Sequence, residues 1–487
     1  MTEPTTAGRG FGSRIAGDSL VYGLGGMANQ AVAVLLVPIY AGVLGSPGVG
    51  ITGVLNSTIS LGLMITGLAL PQAFFRWYLR ESTTHAERAH VLATTLAMRV
   101  AASLLGFALL LLAALPLTGA MYDGEHLIVF ALAGPIVLFD TLNAIPLSFL
   151  RAERRPRDYV IISLTRAIVG TVLIVSLVVI ADLGVVGVAL GAALASALSA
   201  GIGMAALARA GMLRLSWDPA LARAMLAFAR PLVPAGIAGW ALNLADRPLL
   251  QAITGDDALV GVYTTGYTAG LVINALVIQP FSLSWSATFW DISRTDDAAR
   301  TFARSLNWFL ALAAGLALFL SVIGTDIIRF LFPPEFEASR YIIPFSAFSY
   351  VLYGAYTIGA TGLSVVGRTG SAATTMVAAA GAALVLNLIL IPTLGIYGAA
   401  ISTLAGYALL AVLAGWVSQR HYPVPWQIGR AAAILLVAGA LSALALIGPD
   451  HVLWRLGCLI LYVPILLGAG IVRASQLRQL LQAVRRR

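Results

Sequence analysis

Long apolar segments separated by short polar connections run along the whole chain. Fourteen of them approach the length of roughly 20 residues that an α-helix needs to cross a hydrocarbon core of about 30 Å. They lie near residues 18–44, 50–75, 91–115, 127–150, 159–181, 186–208, 228–252, 259–288, 303–323, 340–366, 372–391, 396–417, 428–447 and 453–472. No connection is long enough to hold a soluble domain. The pattern predicts an all-α polytopic membrane protein with about 14 transmembrane helices.

Arginine alternates between successive connections, and this alternation predicts the orientation. Arginine-rich connections stay on the cytoplasmic side of a membrane. The connections rich in arginine hold Arg76, Arg80 and Arg88, then Arg151, Arg154, Arg155 and Arg157, then Arg209, Arg214, Arg223 and Arg230, then Arg294, Arg300 and Arg304, then Arg420 and Arg430. We therefore expect a multi-pass protein of the cytoplasmic (inner) membrane with both termini cytoplasmic.

The second half of the chain repeats the first. An apolar helix, a Leu-Gly-x-x-Gly-x-Ala turn and a second apolar helix occur around Gly184 and again around Gly395. The correspondences, at an offset of 210 or 211 residues, pair Pro38 with Pro248, Gly45 with Gly255, Gly50 with Gly261, Gly184 with Gly395, Gly187 with Gly398 and Ala189 with Ala400. Six helices per repeat return the second repeat in the same orientation, so the repeats are parallel and a cleft between them is the natural site.

The repeat predicts the division of the chain. We expect a cytoplasmic N-terminal segment at 1–17, which we take as an uncleaved start, a six-helix bundle at 18–209, a cytoplasmic linker at 210–227 and a second six-helix bundle at 228–417. The remaining parts are an extra helix pair at 428–472 and a basic cytoplasmic tail at 473–487.

Composition supports the membrane assignment and removes other classes. The 487 residues are 59% hydrophobic and 10% charged, whereas soluble proteins are about 25% charged. The net charge of +9 is accounted for by cytoplasmic arginines facing anionic lipid, so no nucleic-acid partner is needed. The single cysteine, Cys458, can form neither an intrachain disulfide nor a metal cluster.

Five charged residues fall inside predicted spans, where ionisable groups usually face a cavity or a partner. They are Arg99, Asp140, Arg166, Asp246 and Arg247. On a functional interpretation, the three arginines hold an anionic head group, because guanidinium binds phosphate oxygens in a bidentate manner. On a structural interpretation, Asp140 pairs with Arg166 or Arg99, while Asp246 and Arg247 pair locally or reach outward. We favour a counter-ion role for Asp140 over a role in cation coupling.

Uncharged polar residues gather on predicted helices 1, 2, 7 and 8, which are equivalent pairs in the two repeats. An amide in lipid must hydrogen-bond to a neighbouring helix or to a hydrated substrate. Their distribution favours a shared polar lumen that binds substrate, lined by Asn29, Gln30, Asn56, Asn243, Asn274 and Gln279.

Catalysis has no support in the sequence. The five histidines lie at loops or helix ends without ligand spacing, and no Gly-x-Ser-x-Gly, phosphate-cradling or HExxH motif occurs. We expect no enzyme activity, no cofactor and no metal site.

Four stretches together resemble a known family. They run from Pro38 to Gly50, from Phe74 to Glu81, from Ala245 to Tyr263 and from Asn387 to Ala400. In order and spacing the chain resembles the polysaccharide transporter family, the O-antigen-type oligosaccharide-lipid flippases, within the multidrug/oligosaccharidyl-lipid/polysaccharide exporter superfamily.

The resemblance implies a V-shaped pair of six-helix bundles that open alternately to each face, plus two extra C-terminal helices. It implies movement of an isoprenoid pyrophosphate-linked glycan to the outer leaflet, with basic residues in the central cavity. Carried over, the cavity role falls on Arg247 and a role at the cytoplasmic entrance on Arg76. The chain departs from the family pattern at Pro248, where the family more often has an aromatic or aliphatic residue.

Three hypotheses follow. The first is an alternating-access flippase for a lipid-linked glycan, with membrane lipid and glycan-assembly proteins as further partners. The second is a cation- or proton-coupled multidrug exporter of the same superfamily, whose cavity should favour acidic residues. The third is a scaffold subunit of a glycan-assembly complex that transports nothing.

Overall fold

The computed structural model describes the backbone of residues 7–470 and the side chains of residues 36–470 apart from those at positions 287 and 369. Every regular element in this part of the chain is helical. The α-helices are α1 (Ala7–Gly67), α2 (Leu70–Arg76), α3 (His85–Met121), α4 (Leu127–Ala131), α5 (Ala133–Ala152), α6 (Pro156–Val175), α7 (Gly184–Arg209), α8 (Pro219–Ala229), α9 (Leu232–Leu244), α10 (Asp246–Thr254), α11 (Asp257–Ile273), α12 (Gln279–Ser293), α13 (Ala298–Leu331), α14 (Ile343–Gly359), α15 (Thr361–Val365), α16 (Thr369–Leu394), α17 (Ile396–Gln419), α18 (Ile428–Ile447) and α19 (Val452–Gly468).

The all-α polytopic architecture is confirmed. Within the described part, ten helices are long and apolar enough to cross a membrane, and the number is twelve if each of two bent pairs forms one span. α19 is shorter, and α1 merges the first two predicted spans across a kink at Gly45. The predicted count of 14 therefore stays a prediction.

The chain forms two compact units, Met1–Gly261 and Val262–Arg487. This boundary follows contacts within the fold, whereas the predicted bundles at 18–209 and 228–417 follow the sequence repeat. The repeat boundaries stay a prediction. The basic tail at 473–487 lies outside the described residues, as do the side chains of the N-terminal segment 1–17.

Two of the glycine pairs that the sequence repeat matches have a positive backbone angle φ at both positions. φ is +65° at Gly45 and +62° at Gly255, and it is +54° at Gly184 and +55° at Gly395. Residues with a Cβ atom adopt such angles only at a cost, so glycine is the favoured residue at each of these turns. The ψ angles differ within the first pair, −178° at Gly45 and 15° at Gly255, so these two positions share a positive φ but not one turn geometry.

Predicted helix 7 is broken, as the prolines Pro234 and Pro248 within it indicate. The axes of α8 and α9 meet at a bend of 47°. α9 ends at Leu244, and Ala245 separates it from α10, which begins at Asp246. Pro248 explains the second break, because a proline ring clashes with the carbonyl of the residue four positions earlier, here Leu244. Asp246 and Arg247 consequently open a new helix instead of lying in the middle of a span.

In the described part of the chain, π-helical turns end two spans, at Trp77–Glu81 and Ser176–Ile180, and a third lies inside a span, at Asn274–Ile278. In the third, the N–H of Gln279 bonds to the carbonyl of Asn274, five residues back. Pro280 follows directly and has no N–H to continue the α-helical ladder, which favours the wider turn. The sequence predicts one apolar span near 259–288 with an interruption at Pro280.

Candidate substrate-binding residues

Asp140 and Arg166 form a bidentate ion pair within the first unit. Arg166 Nε donates to Asp140 Oδ1 at 3.0 Å and Nη2 donates to Oδ2 at 2.5 Å. Nη2 also lies 3.3 Å from Ser196 Oγ, so α5, α6 and α7 are joined at one level. The sequence left Arg99 and Arg166 open as partners of Asp140, and the structure selects Arg166.

A second polar contact lies close by on the same helices. Asn143, one turn after Asp140 on α5, donates from Nδ2 to Ser199 Oγ on α7 at 2.8 Å. Both residues are buried. Sequence reading missed Ser196 and Ser199, although their three-residue spacing places two hydroxyls on one face of a small-residue helix.

Arg99 is buried in the same unit and lacks such a partner. It is 3% exposed on α3, and its Nε has no hydrogen-bond partner among the residues the structure describes. Removing a charge from water without a counter-charge is unfavourable. Arg99 is therefore a buried positive charge that an anionic group would stabilise.

Arg247 is held by its own neighbourhood. Its Nη1 donates to Asp246 Oδ1 at 2.8 Å and to the carbonyl oxygen of Asn243 at 2.9 Å. The two ionised side chains are only 5% and 2% exposed. Of the two interpretations, the local pair is the one observed, and the role of Arg247 in substrate binding stays a proposal.

Arginines stack on aromatic rings at the predicted cytoplasmic end of the first unit. The guanidinium carbon of Arg76 lies 5.0 Å from the ring centre of Trp77 and 5.1 Å from that of Phe228, and Arg76 Nε lies 3.4 Å from Glu81 Oε1. Arg151 stacks in the same way on Phe75 at 5.1 Å. Such contacts orient guanidinium groups without neutralising them.

We call Arg76, Arg88 and Arg151 the arginine–aromatic end. Arg88 lies 5.8 Å from the ring centre of Tyr78, whose hydroxyl donates to Glu153 at 2.8 Å. Of these arginines only Arg76 was predicted as a site residue. Arg88 and Arg151 appeared in the sequence only as orientation signals, because their partners are distant along the chain.

The uncharged polar candidates differ in exposure. Asn56 is exposed, whereas Asn243, Asn274 and Gln279 are partly buried. Asn274 is the first residue of the π-helical turn Asn274–Ile278, and Gln279 follows this turn directly. The side chains of Asn29 and Gln30 lie outside those the structure describes. In the described residues, no group of three or more His, Cys, Asp or Glu side chains could hold a metal ion.

Solved structures share this fold. The lipid II flippase MurJ in an inward closed conformation matches with a TM-score of 0.69 and 15% identity, over 95% of this chain and 100% of that chain. An inward-facing multidrug resistance MATE family transporter of the MOP superfamily matches with a TM-score of 0.61 and 15% identity, over 83% and 95%. A MOP superfamily transporter from Pyrococcus furiosus matches with a TM-score of 0.52 and 11% identity, over 86% and 96%. At these identities the likeness concerns the fold.

Sequence comparison supplies the family. No curated protein sequence matches the chain. A family model described as polysaccharide biosynthesis protein matches residues 15–289, which is more than half of the 487 residues. The chain belongs to the polysaccharide biosynthesis protein family.

Proposed function

We propose that this protein is an alternating-access flippase that moves an isoprenoid (pyro)phosphate-linked oligosaccharide, or a related glycolipid, from the cytoplasmic to the outer leaflet for surface polysaccharide biosynthesis. Membership in the polysaccharide biosynthesis protein family carries the proposal. The fold shared with a lipid II flippase supports it. In this proposal the protein lies in the cytoplasmic membrane with both termini in the cytoplasm. It moves its substrate without an enzymatic step.

The charges of the first unit fit an anionic head group. The arginine–aromatic end presents guanidinium groups where a substrate from the cytoplasm would arrive, and Arg99 is a buried cation deeper in α3. Arg166 is neutralised by Asp140, so it contributes less positive potential than Arg99. A pyrophosphate moving from the arginine–aromatic end toward Arg99 would follow increasing burial of positive charge.

The multidrug exporter is the second candidate, and the fold shared with MATE transporters fits it. An exporter of organic cations needs a carboxylate able to receive a cation. Asp140 and Asp246 are each hydrogen-bonded to an arginine, which makes them poor cation acceptors in this conformation. The charges therefore favour the flippase.

Reconstitution tests the proposal directly. The full-length protein in liposomes that contain a fluorescent isoprenyl pyrophosphate oligosaccharide should expose more of the probe to an external quencher than protein-free liposomes do. In cells, loss of the protein should deplete surface glycan and accumulate lipid-linked glycan on the cytoplasmic face. Unchanged glycan together with increased drug sensitivity would support the exporter, and no change in either would support a scaffold.

A further inference from the structure

A polar cavity of about 190 Å³ lies at the predicted extracytoplasmic end of the second unit. Four segments meet there: the ends of α13 and α18, the 3₁₀-helix Pro334–Tyr341 and the start of α19. Its polar lining comes from Thr325, Arg340, Tyr341, Asp450 and Arg455. One water needs only about 10–15 Å³ of such volume, so the cavity has room for a larger polar group.

Arg455 is buried at this cavity with unused donors. The residue is 4% exposed, and its Nη2 donates to Asp326 Oδ1 at 2.8 Å. Its Nε and Nη1 have no partner among the described residues, nor do Arg340 Nε and the hydroxyl of Thr325. Buried donors normally find an acceptor, so these four atoms indicate a ligand rich in acceptor oxygens.

The surrounding charges show what kind of ligand. Arg329 Nη2 lies 2.6 Å from both Glu337 Oε1 and Asp450 Oδ2. With Arg340, Arg455 and Asp326, the ion-paired cluster contains three arginines and three carboxylates, whose formal charges cancel. A lone anion would leave the cluster negative. A head group that carries a phosphate and an ammonium leaves it neutral, with the ammonium at a carboxylate.

An apolar crevice of about 620 Å³ adjoins the polar cavity. Tyr341, Leu446 and Ile447 line both spaces, so the two are continuous. The crevice is bordered by α14, α17 and α18, and along α18 it extends from Ile447 to Leu435. At 1.5 Å per residue this is about 18 Å, which is comparable to half of a hydrocarbon core of about 30 Å.

We propose that this composite site binds a phospholipid of the outer leaflet whose head group carries both a phosphodiester and a primary ammonium. Arg455 and Arg340 hold the phosphate, with the Thr325 hydroxyl as a further donor. Asp450 holds the ammonium, and one acyl chain fills the crevice. The site thus selects a phosphoethanolamine lipid over a phosphoglycerol lipid with the same chains.

The test uses the full-length protein in nanodiscs that contain equal amounts of phosphatidylethanolamine and phosphatidylglycerol with matched chains. Lipid retained on the protein is measured by native mass spectrometry. Retention should favour phosphatidylethanolamine by about tenfold, the scale of one or two charge-assisted hydrogen bonds. Asp450→Asn should abolish the preference, whereas Arg455→Gln should lower the retention of both lipids.

Gly439→Phe tests the crevice without touching the arginines. Gly439 lines the crevice, and a Cβ there meets nothing within 4 Å, so the ring can enter the open space. This variant should lose the lipid. Gly429→Phe, on the same helix but outside the crevice and equally open, is the matched control and should retain it.

Equal retention of the two lipids by the wild type, or a preference for phosphatidylglycerol, would overturn the proposal. Unchanged retention in Gly439→Phe would overturn it as well. Displacement of the lipid by inorganic phosphate alone would also overturn it, because it would indicate a site for a soluble anion. If Arg455→Gln fails to fold, the lipid comparison in the wild type and the two glycine variants still decide.

Discussion

Gly50 on α1 and Gly261 on α11 lie against each other with no side chain between them. A Cβ atom on Gly50 would overlap the carbonyl oxygen of Asp257, and one on Gly261 would overlap that of Ser46. The contact is reciprocal, since each carbonyl belongs to the residue four positions before the opposite glycine. These are also positions that the sequence repeat pairs.

The first prediction concerns this crossing. Gly50→Ala and Gly261→Ala should each lower the free energy of unfolding by about 1–3 kcal/mol, because the added methyl group forces two backbones apart. Thermal unfolding in detergent measures the effect. Gly42→Ala is the control, because a Cβ at Gly42 meets nothing within 4 Å. Equal melting temperatures for all three variants would contradict the close packing.

The second prediction separates a functional from a structural role for Arg99. Arg99→Met removes a buried charge that has no described partner, so stability should stay the same or rise, by about 1 kcal/mol or more. Flipping of the labelled probe should nevertheless fall. A structural role predicts the opposite, with lower stability and an unchanged rate per folded molecule. Arg300→Met, on an exposed side chain, is the control for arginine loss.

The third prediction concerns the pair between α5 and α6. Asp140→Asn and Arg166→Gln should each destabilise the protein, and the double variant should lose about 1 kcal/mol less than the sum of the two single losses. The value stays modest because the Arg166 side chain is 42% exposed. Arg166→Lys should recover only part of it, because an ammonium cannot reproduce the bidentate geometry. Additive effects would show that the pair contributes no net stability.

The fourth prediction concerns acid pH. The hydrogen bond from Arg329 holds the pKa of Asp450 below its ordinary value of 3.8. The folded protein therefore keeps Asp450 ionised at a pH where the unfolded chain already binds the proton, and the stabilisation is lost only as pH falls through this range. The difference in melting temperature between wild type and Asp450→Asn should be flat at neutral pH and shrink below 3.8. A difference that already shrinks near neutral pH would contradict the assignment.

The sequence predicted the class of fold because helices in lipid must be long and apolar, which leaves a strong signal in every span. It also located the turns at Gly184 and Gly395, since positive φ angles restrict the residue type. The prolines of the spans, Pro248 among them, predicted interruptions, but not their form, because proline in a membrane helix produces a kink, a π-turn or a new helix depending on the packing around it.

The candidate site was less predictable. Whether Asp140 meets Arg166 or Arg99 depends on how α3, α5 and α6 are rotated about their axes, and periodicity within one helix does not fix that rotation. The donors left over at Arg455 and Thr325 were equally hidden, because the segments that enclose them are distant in sequence. Only the adjacent pair of Asp246 and Arg247 was readable as a pair.

That adjacency has an electrical consequence. Because the two charges are neighbours in the first turn of α10, any displacement of this helix carries both together and transfers no net charge across the membrane potential. Asp140 and Arg166 lie on different helices, so a separation of α5 from α6 would move single charges through the field, at about 2.3 kcal/mol per charge for 100 mV. A voltage-dependent step in the transport cycle would accordingly come from a separation of α5 and α6 or from a displacement of α3, which carries Arg99, while α10 would be electrically silent.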